Sequence, residues 1–571
     1  MTDLVQKKSL SYSSGAAPIP LLGQCIGQVL DASARKFPGR EALVVRHQNL
    51  RFTYSELRTE VERLARGFLA LGIEKGDRIG IWSTNFTEWI INQFAAAKVG
   101  ALLVNINPAN RDFELEYVLR QSECQTLVLI DGFRDINYID TIRRICPEVD
   151  VSEPLQLTSK ALPNLRNLIY VGGNPPPGMF PWKDLMRLGD ESPERKLHER
   201  ERRLEFDDTI NIQYTSGTTG FPKGATLTHH NIVNNALLIA NAMRLTEQDR
   251  LCIPVPFYHC FGMVLGIMAC VVSGAAMIIP AAYFDADATL RAVAEERCTA
   301  LHGVPTMFIA ELEHPNFADF DLTSLRTGIM AGSPCPIEIM KRVVTQMHCT
   351  EITIAYGLTE SSPVITQTTP DDPIELRVST VGKALPHTEV KIISASTGKI
   401  VPVGEPGELC TRGYHVMKGY YKNPEATGLA IDEDGWLHSG DLAVMDEQGY
   451  FRITGRAKDM IIRGGENIYP REVEEFLYTC PGVSDVQVIG IPDRKYGEQV
   501  VAWIKLEEGS TVTEQEIREF CKGKIARFKI PKSIKFVTEF PQTVTGKVQK
   551  FKMRETMVKE LVPETEVDSE V

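Results

Sequence analysis

The middle of the chain contains the sequence Thr215-Ser216-Gly217-Thr218-Thr219-Gly220-Phe221-Pro222-Lys223-Gly224. An alternating stretch before it predicts a strand over residues 209–214, and a helix is predicted to begin near Thr228. The glycines let backbone N–H groups come close to an anion, the hydroxyl groups add donors, and Lys223 adds a positive charge. A loop of this composition between a strand and a helix indicates a polyphosphate cradle.

The spacing of this loop is not that of a Walker A motif. That motif has four residues between its first glycine and the Gly-Lys-Ser/Thr sequence. Here two residues separate Gly217 from Gly220, and Gly224 follows Lys223. A flexible polar surface loop is the alternative interpretation, and the concentration of glycine, hydroxyl and lysine residues argues against it.

Length and charge limit the classes of protein to consider. The 571 residues are more than one hydrophobic core usually organises, which predicts two or more domains. The formal net charge of −12 argues against nucleic acid or an anionic membrane as a general partner. The segment from Lys522 to Lys550 nevertheless contains eight basic residues and one acid, Glu539. This segment indicates either a local anion site or a solvated cationic face.

The cysteines and the N-terminus bear on the compartment. The twelve cysteines form no CxxC pair and have no metal-like spacing with histidine, which is typical of reduced thiols in an intracellular protein. Residues 1–15 lack the apolar region of a secretory signal and the pattern of a mitochondrial presequence. We therefore expect a cytoplasmic protein.

One uncharged stretch is long enough to cross a bilayer. Residues 251–284 contain no Asp, Glu, Lys or Arg, and Phe261–Ala282 has the length of a membrane span. Gly262, Gly266 and Gly274 interrupt it, and no basic cluster flanks it closely. A buried core segment is the favoured interpretation, with no stable membrane span.

Predicted strands and helices alternate along the first part of the chain. Thr53 and Glu56 form a capping box ahead of an apolar repeat at helical spacing, and Arg78–Trp82 predicts the next strand. The alternation continues to about residue 130 and predicts an α/β domain in which helices flank parallel sheets. The highly charged residues 191–203 are interpreted as a surface connection.

The pattern changes near residues 454–459. Beyond them, predicted strands over 486–491 and 500–506 lie between predicted helices over 471–478 and 514–527, which indicates a small α+β domain. We predict an N-terminal extension over residues 1–20, a large domain over 21–455, a small C-terminal domain over 456–560 and a disordered tail over 561–571.

The phosphate loop resembles the signature of the adenylate-forming superfamily, which includes acyl-CoA synthetases, firefly luciferase and the adenylation domains of peptide synthetases. The resemblance covers the chain from about Leu22 to Glu560. Residues 223–235, 458–470 and 520–531 most resemble the subfamily of medium-chain acyl-CoA synthetase family member 2. The other signatures, in the expected order, are Tyr356-Gly357-Leu358-Thr359-Glu360, His438-Ser439-Gly440-Asp441, Gly455-Arg456-Ala457-Lys458-Asp459 and Thr545-Gly546-Lys547.

The resemblance implies a fold and a reaction. The large α/β domain would include a small β-barrel-like part, and the α+β C-terminal domain would be mobile. A carboxylic acid would attack ATP, give an acyl-adenylate and pyrophosphate, and then pass its acyl group to coenzyme A with release of AMP. The implied substrates are ATP, coenzyme A and a fatty acid of medium chain length, with Mg²⁺ as the metal.

The resemblance also assigns roles at the ATP site. The loop from Thr215 to Lys223 would hold the β- and γ-phosphates, and Glu360 would hold Mg²⁺, which prefers oxygen ligands. Thr359 would contact the α-phosphate. The other implied nucleotide contacts are Tyr356 and Gly357 at the adenine, Asp441 at the ribose hydroxyls, Arg456 at the ribose or a phosphate, and Gly332.

Two further roles concern the small domain. Lys547 matches the catalytic lysine, whose ammonium group would bridge the carboxylate and the α-phosphate. The domain would then rotate about Lys458, withdraw Lys547 and present Gly464 and Gly465 to the pantetheine tunnel, where a side chain would obstruct the thiol.

The acyl pocket is predicted partly from composition. Residues 256–262 resemble the segment that lines the substrate site, with His259 as a catalytic residue near the carboxylate. Residues 303–306 and 331–333 would form further walls. Because residues 251–284 carry no charge, a fatty or aryl acid is favoured over an amino acid, whose ammonium group would need a buried carboxylate.

Other functions stay open on sequence grounds. They are an oxidative light-emitting ligase, an adenylating enzyme that loads a carrier protein, an aryl or short-chain acid CoA ligase, and a nucleotide-binding protein without catalysis. The presence of Lys223, Glu360 and Lys547 together argues against the last of these. An oligomer is compatible with the sequence, and the resemblance indicates the mitochondrial matrix if a presequence has been removed.

Overall fold

The structure is a computed structural model that describes residues 9–215, 222–333, 335–463, 466–494, 496–544 and 546–561. Helices and strands alternate through most of these residues, and the predicted α/β class is confirmed. The predicted disordered tail lies outside the described residues except for Leu561.

Local signals in the sequence begin the helices. Thr53 and Glu56 exchange backbone-to-side-chain hydrogen bonds of 3.2 and 2.8 Å, so the predicted capping box starts the helix Tyr54–Ala70. Thr228 caps the helix His229–Ala242 in the same way.

The other α-helices are Ile26–Lys36, Thr87–Val99, Asp112–Gln121, Tyr138–Ile145, Trp182–Glu191, Glu194–Glu201, Ala269–Ser273, Ala286–Glu295, Pro305–Leu312, Ile337–Gln346, Ile374–Ser379, Pro424–Ala430, Pro470–Leu477, Glu514–Cys521 and Lys550–Leu561. Short 3₁₀ helices are Arg46–Gln48, Pro147–Val151, Phe317–Asp319, Thr359–Ser361, Ala457–Asp459 and Arg527–Lys529.

One large sheet contains the strand that leads into the phosphate loop. Its strands are parallel up to Thr209–Thr215, which pairs antiparallel with Lys223–Thr228 on the other side of the loop. Its central strands are buried because helices cover the sheet. In spatial order the strands are Phe180–Pro181, Asn167–Tyr170, Thr126–Leu129, Arg78–Trp82, Leu102–Asn105, Thr209–Thr215, Lys223–Thr228 and Gly419–Tyr420.

A second large sheet is parallel from Glu351–Gly357 to Glu41–Val45 and has antiparallel strands at both edges. In spatial order its strands are Lys383–Ala384, Val364–Gln367, Glu351–Gly357, Thr327–Ala331, Ala300–Gly303, Arg250–Cys252, Ala276–Ile279, Glu41–Val45 and Leu50–Thr53. Gly132–Phe133 and Ile136–Asn137 form a separate hairpin.

The uncharged stretch is part of the core of the large domain. It includes the π-helix Phe261–Met268, all of whose residues are buried, and the buried strand Ala276–Ile279. Among the helices described, none combines the length and apolar character that a membrane span requires.

A third, antiparallel sheet precedes the small domain. Tyr12–Ser14, near the start of the chain, pairs with the edge of this sheet. In spatial order its strands are Tyr12–Ser14, Thr388–Ile393, Gly407–Gly413, Leu437–Met445 and Phe451–Arg456.

The small C-terminal unit has its own sheet and apolar core. Its long hairpin, Val483–Asp493 with Gly497–Leu506, is covered by helices whose buried residues include Val473 and Ile517. The other strands are Glu466–Ile468, Ile461–Arg463 and Ser533–Phe536.

One local prediction was incomplete and another was wrong. The charged segment over 191–203 lies mostly at the surface, as predicted, but it contains a helix, Glu194–Glu201, because buried Leu197 anchors it and Arg200 donates to the carbonyls of Ile73 and Val99 at 3.2 and 3.0 Å. The helix predicted over 514–527 ends at Cys521. Its continuation is blocked two residues later, where Gly523 adopts a φ of +72°.

Candidate active site

The ends of two strands meet at one cleft. Thr215 ends a strand of the first large sheet, and Glu360 follows the strand Glu351–Gly357 of the second. The Thr215 hydroxyl donates to Glu360 Oε1 at 3.3 Å. Because ligands of α/β proteins usually bind outside the carboxyl ends of the strands, this cleft is the candidate active site.

Glu360 is held by hydroxyl groups. Tyr420 donates to Glu360 Oε1 at 2.8 Å, and the backbone N–H of Met417 donates to the Glu360 carbonyl at 2.9 Å. Burial, together with the neighbouring Glu360 carboxylate, raises the pKa of Tyr420, which therefore stays a donor. One carboxylate and two hydroxyl groups give an all-oxygen donor set, which fits a hard cation such as Mg²⁺.

Asp441 is a buried carboxylate with two fixed partners. Tyr356 donates to its Oδ2 at 2.8 Å, and the Nε of Arg456 lies 3.1 Å from its Oδ1. Burial and the Asp441 charge raise the pKa of Tyr356. Tyr356 was predicted at the adenine face, and its hydroxyl group in addition orients Asp441.

Only the flanks of the phosphate loop can be described. The Lys223 ammonium lies 5.3 Å from the centre of the Tyr420 ring, whose hydroxyl group donates to Glu360, so Tyr420 contacts both of these predicted residues. Tyr117 donates to the Pro222 carbonyl at 3.2 Å. The predicted contacts Ser216, Gly217, Thr218, Thr219, Gly220 and Phe221 lie outside the described residues.

Lys547 enters the cleft from the small domain. Its side chain is exposed to the cleft, where partial desolvation by the surrounding walls, and repulsion from Arg456 and Lys458, lower its pKa to about 8. Asp441 and Glu360 act in the opposite direction. The ammonium group is therefore within electrostatic reach of both carboxylates.

Gly546, the residue before Lys547, packs closely against the large domain. The Thr306 hydroxyl donates to the Gly546 carbonyl at 3.4 Å, and Gly546 has a φ of +76°. A Cβ at this position would lie 2.7 Å from Thr306 Oγ1 and 2.9 Å from Val304 Cγ2. Only glycine satisfies both the backbone conformation and this close contact between domains.

His259 lies in the wall of the cleft. Burial, with repulsion from Lys547, lowers its pKa to about 4, so it is neutral at physiological pH. Its Nδ1 accepts from the Phe261 N–H at 3.1 Å. The adjacent Cys260 sulfur lies 3.6 Å from His259 Nδ1 and 3.8 Å from the hydroxyl of Thr359, so it contacts both of these predicted catalytic residues.

The structure also describes the local environment of three other predicted residues, Gly357, Gly332 and Lys458. A Cβ on Gly357 would lie 1.8 Å from the Pro363 carbonyl oxygen, and Gly332 has a φ of +88° beside Val304. Lys458 is exposed in the short helix Ala457–Asp459. The predicted tunnel residues Gly464 and Gly465 lie outside the described residues.

A cavity of about 300 Å³ separates the two domains next to Gly546. Large-domain residues that line it include Asn85, Tyr258, Thr306 and Met307, and small-domain residues include Phe540 and Val544.

Several positioning residues carry no signal in the sequence. Asn85 fixes the backbone at the start of the predicted acyl-site segment, residues 256–262. Its side-chain amide donates to the Val255 carbonyl at 3.0 Å, and its side-chain oxygen accepts from the Phe257 N–H at 2.9 Å. Asn105 holds the Tyr258 carbonyl at 3.0 Å. With Tyr420, these residues act through partners distant in sequence, so no local motif could have identified them. Thr306 was predicted as part of a pocket wall, and its hydrogen bond to Gly546 is an additional role.

Comparisons with known proteins show the family of the chain. The family model for AMP-binding enzymes matches residues 30–421, and the model for the C-terminal domain of AMP-binding enzymes matches residues 472–547. The putative acyl-CoA synthetase YngI of Bacillus subtilis (strain 168) is 54% identical over 94% of this chain and 98% of its own length. The mitochondrial medium-chain acyl-CoA ligase ACSF2 of Bos taurus is 44% identical over 96% of this chain and 90% of its own length.

Solved structures are similar over the same extent. The anthranilate CoA ligase AuaEII, in complex with anthranoyl-AMP, has a TM-score of 0.82, 26% identity, and coverage of 94% of this chain and 98% of that one. ATP-bound MatB from Rhodopseudomonas palustris has a TM-score of 0.78, 28% identity, and coverage of 94% and 99%.

The chain belongs to the family of AMP-binding enzymes. It is an AMP-forming acid–CoA ligase, with ATP and coenzyme A as co-substrates and Mg²⁺ as the metal. The alternative of loading a carrier protein is not favoured.

Proposed function

We propose that this acyl-CoA synthetase activates medium-chain fatty acids. The observation that carries the proposal is the uncharged, apolar character of residues 251–284 around His259, which is close enough to Lys547 for the two charges to interact. Phe257, Phe261 and Met263 are buried in this stretch, and His259 within it is neutral. The medium-chain ligase ACSF2 of Bos taurus, 44% identical to this chain, supports the choice of substrate class.

In the first half-reaction, two anions must approach each other. The carboxylate oxygen attacks the α-phosphorus, and the bond to the pyrophosphate oxygen breaks. We assign to Lys547 the neutralisation of charge on both groups, because electrostatic stabilisation dominates phosphoryl and adenylyl transfer. Asp441, oriented by Tyr356 and Arg456, would hold the ribose hydroxyls through two acceptor oxygens.

Glu360 and Thr215 would hold the Mg²⁺ ion, which supplies charge neutralisation on the phosphates when bound. Tyr420 fixes the carboxylate in place before ligands arrive. The loop from Thr215 to Lys223 would bind the β- and γ-phosphates.

In the second half-reaction, the thiol of coenzyme A attacks the acyl carbonyl and AMP leaves. We propose that the small domain rotates about Lys458 between the two steps, with Gly464 and Gly465 passing close to the thiol. The large domain over residues 21–455 and the small domain over 456–560 remain our proposed units of this motion. The described hydrogen bond that joins the domains at Gly546, from the Thr306 hydroxyl, is a long one of 3.4 Å.

Initial rates with a series of saturated acids from four to sixteen carbons, and with benzoate, test the proposal. ATP, Mg²⁺ and coenzyme A are present, and AMP, pyrophosphate and acyl-CoA are measured separately. We expect all three products in equal amounts, with the highest kcat/KM for acids of about eight to twelve carbons, because each buried methylene adds about 0.8 kcal/mol until the pocket is full. A maximum at benzoate or at four carbons would refute the medium-chain assignment.

The compartment is a separate proposal. We propose a cytoplasmic location, although the ACSF2 relatives are mitochondrial by name. Fractionation of the source cells with an antibody to the chain distinguishes the cytosol from the matrix.

A further inference from the structure

A cluster of potential metal ligands lies on the antiparallel sheet, outside the nucleotide contacts. Glu408 and Cys410 are two residues apart on the strand Gly407–Gly413 and therefore point to the same face. His438 lies directly opposite Cys410 on the neighbouring strand, in register with it. The sequence spacing of cysteine and histidine gives no hint of this arrangement, because the strand pairing brings the residues together.

Two separations between donor atoms are close to those of a tetrahedral metal site. His438 Nδ1 lies 3.1 Å from Glu408 Oε2 and 3.5 Å from Cys410 Sγ, and all three donor atoms lie within 4.8 Å of one another. Tetrahedral zinc, with bonds of about 2.0–2.1 Å to nitrogen and oxygen and about 2.3 Å to sulfur, requires about 3.4 Å between nitrogen and oxygen and about 3.6 Å between nitrogen and sulfur.

We propose that Glu408, Cys410 and His438 bind one Zn²⁺ ion, with a water molecule as the fourth ligand. A thiolate, an imidazole and a carboxylate together are the ligand set that zinc takes in proteins. A thiolate and a carboxylate balance the two charges of the ion, so the occupied site is neutral. It is a site separate from the Mg²⁺ site at Glu360, which has oxygen donors.

The ring of His438 is also supported on its other side. Asp432 Oδ2 lies 3.6 Å from His438 Nε2, and Asp432 Oδ1 is fixed by the N–H groups of Asp434 and Trp436 at 3.0 and 2.8 Å. With the metal on Nδ1, Nε2–H faces this carboxylate. A carboxylate behind a ligating histidine orients the ring and raises its basicity.

A simple hydrogen-bonded network is the competing explanation. In it, His438 Nδ1–H donates to Glu408 Oε2 while Glu408 Oε1 accepts from the Gly440 N–H at 3.1 Å. The buried thiol of Cys410 then stays protonated, since desolvation and the Glu408 charge raise its pKa to about 12. Zinc binding must displace this proton, so zinc affinity should fall as the pH is lowered.

Titration of the tag-free, full-length enzyme with Co²⁺, in the presence of saturating Mg²⁺, tests the proposal. Tetrahedral cobalt bound to a thiolate gives visible ligand-field bands and a near-ultraviolet sulfur-to-cobalt charge-transfer band, which oxygen sites do not give. We expect a charge-transfer band that saturates at about one equivalent and disappears when Zn²⁺ is added, as zinc binds more tightly than cobalt. Absence of the band would overturn the proposal.

Three variants locate the ion. Cys410→Ser should abolish the charge-transfer band, and Asp432→Asn should weaken zinc binding by about tenfold or more while leaving the band in place. Cys335→Ser is the matched control, because Cys335 is also buried but donates to the carbonyls of Met330 and Ser333. A band that survives in Cys410→Ser, or that is lost equally in the control, would place the metal elsewhere.

A second measurement covers the case in which Cys410→Ser folds poorly. Glu408→Gln preserves the size of the side chain and removes its charge. Zinc affinity measured by competition with a chromogenic chelator should fall at least about tenfold in this variant. An unchanged affinity would show that Glu408 is no ligand and would refute the three-residue site.

Discussion

The two sides of the active-site cleft are built differently. On the large domain, Asp441 is buried between Tyr356 and Arg456, and Glu360 is held by Tyr420 and Thr215 within packed sheets. On the small domain, Lys547 follows a glycine whose described hydrogen bond to the large domain is 3.4 Å long. The nucleotide side is preorganised, whereas the described hydrogen bond that positions the segment with Lys547 is long and therefore weak.

This difference suits a reaction with two steps. The acyl-adenylate must stay bound while the group that promoted its formation gives way to the thiol. A rigid nucleotide wall and a weakly docked lysine meet both demands. Mutations on the two sides should therefore separate the half-reactions.

The largest effect is expected for Lys547→Ala. Loss of the ammonium group should reduce acid-dependent ATP–pyrophosphate exchange by about 100- to 1,000-fold, as for other groups that stabilise transition-state charge. Acyl-CoA formation from preformed acyl-adenylate should stay within about threefold of the parent enzyme, because our account withdraws Lys547 before that step. Equal losses in both assays would contradict the division between the two sides.

Asp441→Asn should affect both half-reactions instead. It leaves Arg456 without its buried partner and removes charge from the ribose acceptor, which we expect to cost about 2 kcal/mol or roughly 30-fold in kcat/KM. The measurement is ATP–pyrophosphate exchange together with thioester formation from preformed adenylate. Selective loss of exchange alone would indicate that Asp441 does not hold the adenylate.

Gly546→Ala tests the approach of the lysine. The added Cβ meets Thr306 and Val304 and forces alanine into a left-handed conformation, so we expect adenylation to fall on the order of tenfold. Gly523→Ala is the matched control, because Gly523 has a φ of +72° with nothing within 4 Å of an added Cβ. Equal effects of the two variants on exchange would remove the contact between domains from the explanation.

Glu313 joins the domains at a second point. Ser484 donates to one carboxylate oxygen at 2.8 Å, and the Lys505 ammonium lies 3.3 Å from the other. Glu313→Gln should lower exchange by about two- to fivefold, the range of an exposed ion pair, and leave thioester formation from preformed adenylate unchanged.

A charge reversal sharpens this test. Glu313→Lys should lower exchange further by repelling Lys505, and adding Lys505→Glu should restore part of it. If the double variant is no better than Glu313→Lys, the ion pair does not stabilise the adenylating arrangement.

The smallest expected effect concerns pH. Because the pKa of Lys547 is lowered to about 8, its ammonium form is lost as the pH rises through that value, and kcat/KM for adenylation should fall on the alkaline side. Lys458→Gln removes a repelling charge, so the pKa of Lys547 and the alkaline limb should move to higher pH. An unmoved limb, measured for both enzymes at constant ionic strength, would show that Lys547 does not titrate there.

Local patterns in the sequence determined much of the fold. The capping box at Thr53 and the apolar alternation around Arg78–Trp82 predict their elements correctly, since each depends on residues a few positions apart. The uncharged residues 251–284 were correctly interpreted as core. The order of short motifs identified the family, because each motif carries its own chemistry.

The tertiary structure alone decided which of these groups meet. Tyr356 reaches Asp441 across 85 residues, and Tyr420 reaches Glu360 across 60, through strand pairings that no local pattern specifies. The charge of a residue does not determine its burial either. Arg200 lies in a highly charged segment that is mostly exposed, and yet its own side chain is buried against backbone carbonyls. Sequence determines local conformation through neighbouring residues, whereas burial and long-range contacts arise only when the whole chain packs.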